Sequence, residues 1–221
     1  MNVSEAIRNR KSVRKFLNRE VGVETINTIL DTARWAASGS NTQPWEVVVL
    51  RGESKRTLGE KIEMEFWRGV RGKMDYQYYP VDWKDPYRRR RIECGKALYK
   101  ALSIEREDIE RRKSQWAANY RSFDAPVMLL FFMDRIMETG SYLDYGIFLQ
   151  SIMLAAMDHG LDTCPQASLG EYPELVREHV GFSDDYTVIC GLAVGYEDNS
   201  DPVNHYRTVR EEVSNFTRYM E

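Results

Sequence analysis

Three short, almost uninterrupted apolar runs constrain the fold of this chain more than any other feature: residues 45–50 (WEVVVL), 126–133 (PVMLLFFM) and 187–194 (TVICGLAV). Each run is rich in β-branched or aromatic side chains, so each reads as a strand. Because apolar residues do not alternate with polar ones, both faces of the resulting sheet must be covered. Helices can supply the cover. Ile26, Ile29, Leu30, Ala33 and Ala37 recur at helical spacing and predict a helix over residues 23–37, stopped by Ser38-Gly39-Ser40-Asn41. Residues 141–159 are apolar almost all round, which places that helix centrally or against a second subunit. A short helix opens the chain, with Asn2 and Glu5 spaced as a capping box and Val3, Ala6 and Ile7 forming its apolar stripe.

Between the first two strands lies a different kind of sequence. Over residues 66–121 cations outnumber acids, although the whole chain carries 31 Lys+Arg against 34 Asp+Glu and a formal charge of -3. Tyr76-Gln77-Tyr78-Tyr79-Pro80, Trp83, Pro86, Tyr87 and the run Arg88 to Arg91 form an aromatic, turn-rich middle between charged helical stretches at 54–67 and 105–119. The last residues, from about 197, are polar and extended-looking and have little to bury alone. Such a tail wraps another surface.

Several function classes are disfavoured at this stage. There is no G-x-G-x-x-G, no P-loop and no G-x-S-x-G elbow. The three cysteines are widely spaced with no C-x-x-C, and the three histidines lie far apart, which argues against a disulfide framework and against a metal site. The Arg88–Arg91 run with its aromatic neighbours raises a nucleic-acid reading. The acidic whole and the lack of any recognition motif oppose it. No apolar run is long enough to span a bilayer and the start lacks a secretory pattern, which points to a soluble cytoplasmic protein. No linker divides the 221 residues, so one domain is expected over 1–221.

Two clusters could carry chemistry. Arg10, Lys11, Ser12, Val13 and Arg14 place guanidinium forks, an ammonium and a hydroxyl within a few residues, a donor set suited to a phosphomonoester; a basic helix C-terminus complementing the helix dipole is the plainer account. Ser38 to Trp45 (SGSNTQPW) offers small residues, amides and hydroxyls through which a flat polar ligand could approach the backbone, or simply a polar connection.

Taken with Asn119-Tyr120-Arg121 ahead of Asp124-Ala125-Pro126, the 160–168 segment (GLDTCPQAS), the 191–196 segment (GLAVGY) and Arg207-Thr208-Val209-Arg210, these clusters resemble the FMN-dependent nitroreductase family in the right order over essentially the whole chain. The aromatic insert, Asp144-Tyr145-Gly146 and Cys164-Pro165-Gln166-Ala167 are similar to the branch that includes nitrobenzoate reductases. The resemblance implies an α+β fold, a mixed β-sheet flanked by helices in an intertwined homodimer. It implies FMN as cofactor and NADH or NADPH as donor. The reaction would be two-electron, ping-pong reduction of an aromatic nitro compound, with no catalytic side chain because flavin N5 carries the hydride. A reductive dehalogenase, an enone or quinone reductase, or a non-catalytic flavin-binding protein would use the same scaffold.

By the same resemblance, Arg10, Lys11 and Ser12, with Arg207 or Arg210, hold the FMN phosphate and ribityl chain, and Arg14 faces the nicotinamide pocket. Ala37, Ser38, Gly39 and Asn41 belong to a loop given to the flavin of the other subunit. Asn119 bonds the pyrimidine edge, Arg121 lies near N1 and O2, and the backbone of Ala167 and Ser168 donates to N5. Tyr79, Trp83, Tyr87 and Arg88 belong to a basic aromatic lid at about 66–121 that covers a flat substrate and draws in anionic ones. Residues 197–221 form a C-terminal arm. Cys164 reads as a packed thiol and Tyr142 and Tyr145 as packing residues.

Overall fold

The three apolar runs form β1 (Glu46–Arg51), β2 (Val127–Asp134) and β4 (Tyr186–Gly195) in the computed structural model, which describes residues 2–221 and leaves Met1 outside. A fourth strand, β3 (Asp162–Gln166), is concealed in the sequence by Asp162, Pro165 and Gln166. It lies at the sheet edge, where a proline without an N–H is tolerated. The order is β1-β2-β4-β3, and every strand pairing is antiparallel. Parallel pairing enters the expected mixed sheet only through the isolated bridge between Ser12 and Thr163, among the described residues.

Alternation along β2 divides the core in two. Val127, Leu129, Phe131 and Met133 face Ile26, Ile29 and Ala33 of α2 (Val23–Ala33) and Phe148, Ile152 and Ala156 of α6 (Gly140–Asp158). Met128, Leu130 and Phe132 face the other way, toward Leu58 and Ile62 of α3 (Gly52–Trp67) and Val176 of α7 (Pro173–Val180). Both faces are therefore covered, the reason that β2 tolerates no polar alternation. A bulge between Phe131 and Phe132 shifts the register against β4, so Ile189 and Cys190 share one face while Val188 falls on the other.

The capping box of α1 (Val3–Asn9) forms as expected: Glu5 N–H donates to Asn2 Oδ1 at 2.9 Å and Asn2 N–H to Glu5 Oε2 at 3.1 Å. By contrast, α2 stops at Ala33 and not at 37. The N–H groups of Trp35 and Ala36 bond three residues back, to Thr32 and Ala33, which tightens the last turn and leaves Ala37 in the connection. Tyr145 is buried and bridges layers, its hydroxyl donating to Phe132 O and accepting from Glu46 N–H at 3.0 Å.

The basic insert is more helical than its turn-rich sequence predicts. The arginine run opens α4 (Tyr87–Ala101), which buries none of its residues, and α5 (Ile109–Ala117) follows. The longest stretch of the insert without helix or strand is residues 68–86. Beyond β4 the chain runs extended, with short 3-10 turns at Pro202–Asn204 and Val213–Asn215. No helix among the described residues is long and apolar enough to cross a membrane.

Candidate functional site

Val13 is fully buried against Phe16, Phe123, Cys164 and Ala193, and its N–H donates to Thr163 O at 3.0 Å. That plug fixes the basic segment along the outer edge of β3. In an extended run, neighbouring side chains point oppositely. Arg10, Ser12 and Arg14 consequently face away from the buried Val13. The Lys11 ammonium is taken by Glu197 Oε1 at 2.5 Å and by Asn204 O at 2.7 Å, so Lys11 ties this segment to the C-terminal arm.

The arm closes the other side of a cavity of about 500 Å³. Its wall carries Arg8, Arg10, Lys11, Arg14, Arg207 and Arg210, the hydroxyl-bearing Ser12, Tyr206 and Thr208, and Ile7 and Cys94, with no carboxylate. Most of these cations are oriented by the protein. Arg207 donates to Asn9 O at 2.7 Å and to Arg8 O, Arg210 to Thr208 Oγ1 at 2.7 Å, and Arg14 to the Tyr206 hydroxyl at 2.8 Å. Arg8 and Arg10 are the exceptions, with no hydrogen bond or ion pair to either guanidinium among the described residues, and of the two Arg10 is the more buried. Burial, then Arg210 and Arg207, push the Arg10 pKa down. An unpaired, half-buried guanidinium in a cluster of like charge lacks an anion, and the several forks present match phosphate oxygens.

At its far end, β3 joins two further segments predicted for the site. Gln166 Nε2 donates to Asn119 O at 2.6 Å, which brings Asn119 beside Ala167 and Ser168 across 47 residues of sequence. The 3-10 turn Ala167–Glu171 packs directly on β4; a Cβ at Gly191 would meet Leu169 Cδ1 at 2.2 Å, so any side chain there would have to displace Leu169. Gln166 Oε1 and Ser168 Oγ are buried without a partner, as is Ser122 Oγ. Unsatisfied buried acceptors and hydroxyls beside a cationic cavity suit a ligand with polar ring edges. From Thr163 to Gln166 the strand spans about 10 Å. The protein thus presents an anion cradle at one end of β3 and amide chemistry at the other.

Asn119 Nδ2 donates back to Trp116 O at 2.9 Å. Arg121 is bound to Glu63 at 2.5 Å and Asp124 at 3.1 Å; burial opposes its charge, but these acids outweigh burial and raise its pKa. It precedes a left-handed turn in which Ser122, Phe123 and Asp124 all have positive φ, strain of the kind held at functional sites. Cys164 is a packed thiol whose pKa burial raises.

The 38–43 loop lies elsewhere. Ser40, Asn41 and Gln43 have positive φ, Ser38 Oγ accepts from Gln43 N–H at 3.0 Å, and Gly39 N–H donates to Asp144 Oδ1 at 3.1 Å. Ala37, Gly39 and Asn41 are exposed, and none of the four expected residues of this loop lines the cationic cavity. The lid residues cluster on themselves: Tyr79 lies 5.6 Å from Trp83, Arg91 stacks over Trp83 at 5.0 Å, and Arg90 bonds Glu211 of the arm at 2.9 Å. Tyr87 and Arg88 are exposed on the first turn of α4. The sequence reading did not single out Arg8, Tyr206, Cys94, Glu197 or Asn204 for the site. Arg8 and Tyr206 adjoin predicted residues, whereas nothing local marks Cys94.

A model of the nitroreductase family matches residues 7–196, most of the chain and both ends of β3. The chain belongs to the nitroreductase family. Among nitroreductases it is 38% identical over 220 residues to the chloronitrobenzene nitroreductase of Comamonas testosteroni, covering 99% of this chain and 96% of that one. It is 35% identical over 214 residues to the 4-nitrobenzoate reductase of Pseudomonas putida, covering 97% and 93%. The crystal structure of the FMN- and NADPH-dependent nitroreductase NfnB from sphigopyxis sp. strain HMH superposes with a TM-score of 0.96 at 36% identity, covering all of both chains.

Proposed function

We propose that this protein is an FMN-dependent oxidoreductase that takes electrons from NADPH or NADH and reduces aromatic nitro compounds, nitrobenzoates among them. The observation that carries the reading is the carboxylate-free set of cations around an unpaired Arg10, joined through β3 to the orphaned polar atoms at Gln166 and Ser168. Relatives that match over nearly the whole chain are nitroarene reductases, which favours nitro reduction over dehalogenation on the same scaffold.

Arg10, Ser12, Arg207 and Arg210 would hold the phosphate, and Lys11 would act by fixing the arm that carries Arg207 and Arg210. The Ala167 and Ser168 backbone, Asn119 and the Arg14 and Arg121 cations would border the flavin ring, cations there favouring its reduced, anionic form. When bound, FMN supplies hydride acceptance from the nicotinamide and hydride delivery to the nitro group. Tyr79, Trp83 and Tyr87 would cover the flat acceptor, with Arg88 drawing in anionic substrates.

The working unit would be an intertwined homodimer of one 221-residue domain per subunit. Leu143 on α6, Trp35 after α2 and Phe216 in the arm are 73%, 79% and 70% exposed, and the 38–43 loop is held to α6 next to Leu143 by the Gly39–Asp144 hydrogen bond. A second copy would cover these apolar residues and receive the loop at its own flavin. No nucleic-acid or membrane partner is proposed, and the protein would be cytoplasmic. Under anaerobic conditions the FMN-loaded protein should lose its absorbance near about 450 nm with NADPH or NADH and regain it on adding 4-nitrobenzoate. Failure to take up FMN at all would sink the reading.

A further inference from the structure

β3 pairs only with residues 191–195 of β4, so residues 186–190 have β2 on one side and no strand on the other. An open edge of this kind must have its N–H and C=O groups met in another way. The stretch that follows α3 meets them. Val188 N–H donates to Asp75 Oδ2 at 2.9 Å, and the Tyr76 hydroxyl donates to Ile189 O at 2.6 Å. Nearby, the Tyr172 hydroxyl donates to Val70 O at 2.9 Å, and a Cβ on Gly72 would lie 1.7 Å from Glu171 O.

Asp75 is clamped from two sides. Arg177 Nη1 lies 2.5 Å from one carboxylate oxygen and Arg135 Nη2 lies 3.0 Å from the other, and Arg177 is only 5% exposed. Immediately after Asp75 the rings begin. Tyr76 contacts Tyr142 of α6 at 4.9 Å and Tyr78 at 6.1 Å, Tyr78 contacts Tyr79 at 4.6 Å, and Tyr79 leads to Trp83. One carboxylate therefore joins a buried arginine, a strand amide and the root of an aromatic series. An apolar side chain could fill that space, but it could not accept the strand N–H.

We propose that Asp75 is a positioning residue for substrate recognition: held by Arg177 and Arg135, it pins the aromatic segment to the β4 edge so that Tyr78, Tyr79 and Trp83 meet a nitroarene in a single arrangement. The inference rests on the reading of that segment as the substrate cover. Asp75→Asn keeps the shape and one acceptor but removes the charge, and Tyr76→Phe removes only the second bond to the strand.

In the FMN-loaded D75N protein, hydrogen exchange at the Val188 amide and through residues 70–86 should quicken roughly tenfold or more. KM for 4-nitrobenzoate should rise about tenfold with kcat within about twofold, and FMN affinity should be unchanged. Y76F should move the same quantities in the same direction by less, and it carries the test alone if D75N fails to fold. Unchanged exchange would show that Asp75 is no clamp. Faster exchange with an unchanged KM would show that the clamp positions nothing the substrate meets. Wild-type protein that turns over no nitroarene would overturn the functional reading and this inference with it, whereas a failed clamp leaves wild-type turnover intact.

Discussion

Arg10 and Lys11 are adjacent in sequence and opposite in role: both line the cavity, but the Lys11 ammonium is taken by Glu197 while the Arg10 guanidinium is left without a partner. Charge-assisted hydrogen bonds contribute about 1.5–3 kcal/mol each, so Arg10→Ala should weaken FMN binding roughly 10- to 100-fold. Lys11→Ala should have a smaller effect, exerted through the arm. Titration of FMN fluorescence against each variant measures both. A second residue-scale consequence concerns Glu171, whose carboxyl burial pushes above its ordinary 4.5, partly offset by the 2.8 Å hydrogen bond from Tyr120. Since the folded value lies above the unfolded one, the stability linked to this group is fully present below the unfolded value and lost as pH rises through the folded one. Glu171→Gln, permanently neutral, should therefore raise Tm at pH 7 relative to wild type, and the gain should disappear as pH falls below about 4.5. Thermal melts across that range test the sign.

At the scale of elements, α6 does more than fill the core. Its Asp144 accepts from Gly39 N–H and so sets the loop whose strained Ser40, Asn41 and Gln43 must keep positive φ. Removing that acceptor with Asp144→Ala should cost about 1.5 kcal/mol and speed hydrogen exchange across residues 36–45. Nitroarene turnover should fall with it, since the loop is the part expected to reach the flavin of a second subunit. Fast exchange with undiminished turnover would separate the loop from the chemistry. The helix α4 makes a related point: its arginine run is drawn into contacts with Trp83, Tyr79, Tyr87 and Glu211, which leaves less of it to meet a phosphate backbone.

For the whole molecule the exposed apolar residues decide the expectation. Leu143 and Ile147 stand on the solvent side of a helix whose other side is core, and Val209, Phe216, Tyr219 and Met220 stand out along the arm. Apolar area of that extent on one chain favours association. Leu143→Glu combined with Ile147→Glu should convert a dimer to a monomer in light scattering. It should also lower FMN occupancy, because each site would then lose the loop that the proposed dimer draws from a second copy. A double variant that stays dimeric would place the interface elsewhere.

The sequence by itself determined the three apolar strands, the long apolar helix, the capping box at Asn2 and Glu5 and the family. Each rests on local periodicity or on short motifs in order, signals that survive without knowledge of distant contacts. It also marked Arg10 and Arg14, since adjacent cations are visible as such, and through the family resemblance Arg207 and Arg210. Tertiary structure alone decided that β3 is a strand, because pairing with β4 overrides the poor propensity of Asp162, Pro165 and Gln166. Only the fold turned Lys11 toward Glu197, set Arg121 against Glu63 and left Arg10 unpaired, as these depend on which way a side chain faces and on partners up to about two hundred residues away. The Asp75 clamp is of the same kind. Nothing near Asp75 in the sequence names Arg177, Arg135 or Val188, and only closure of the sheet edge brings them together.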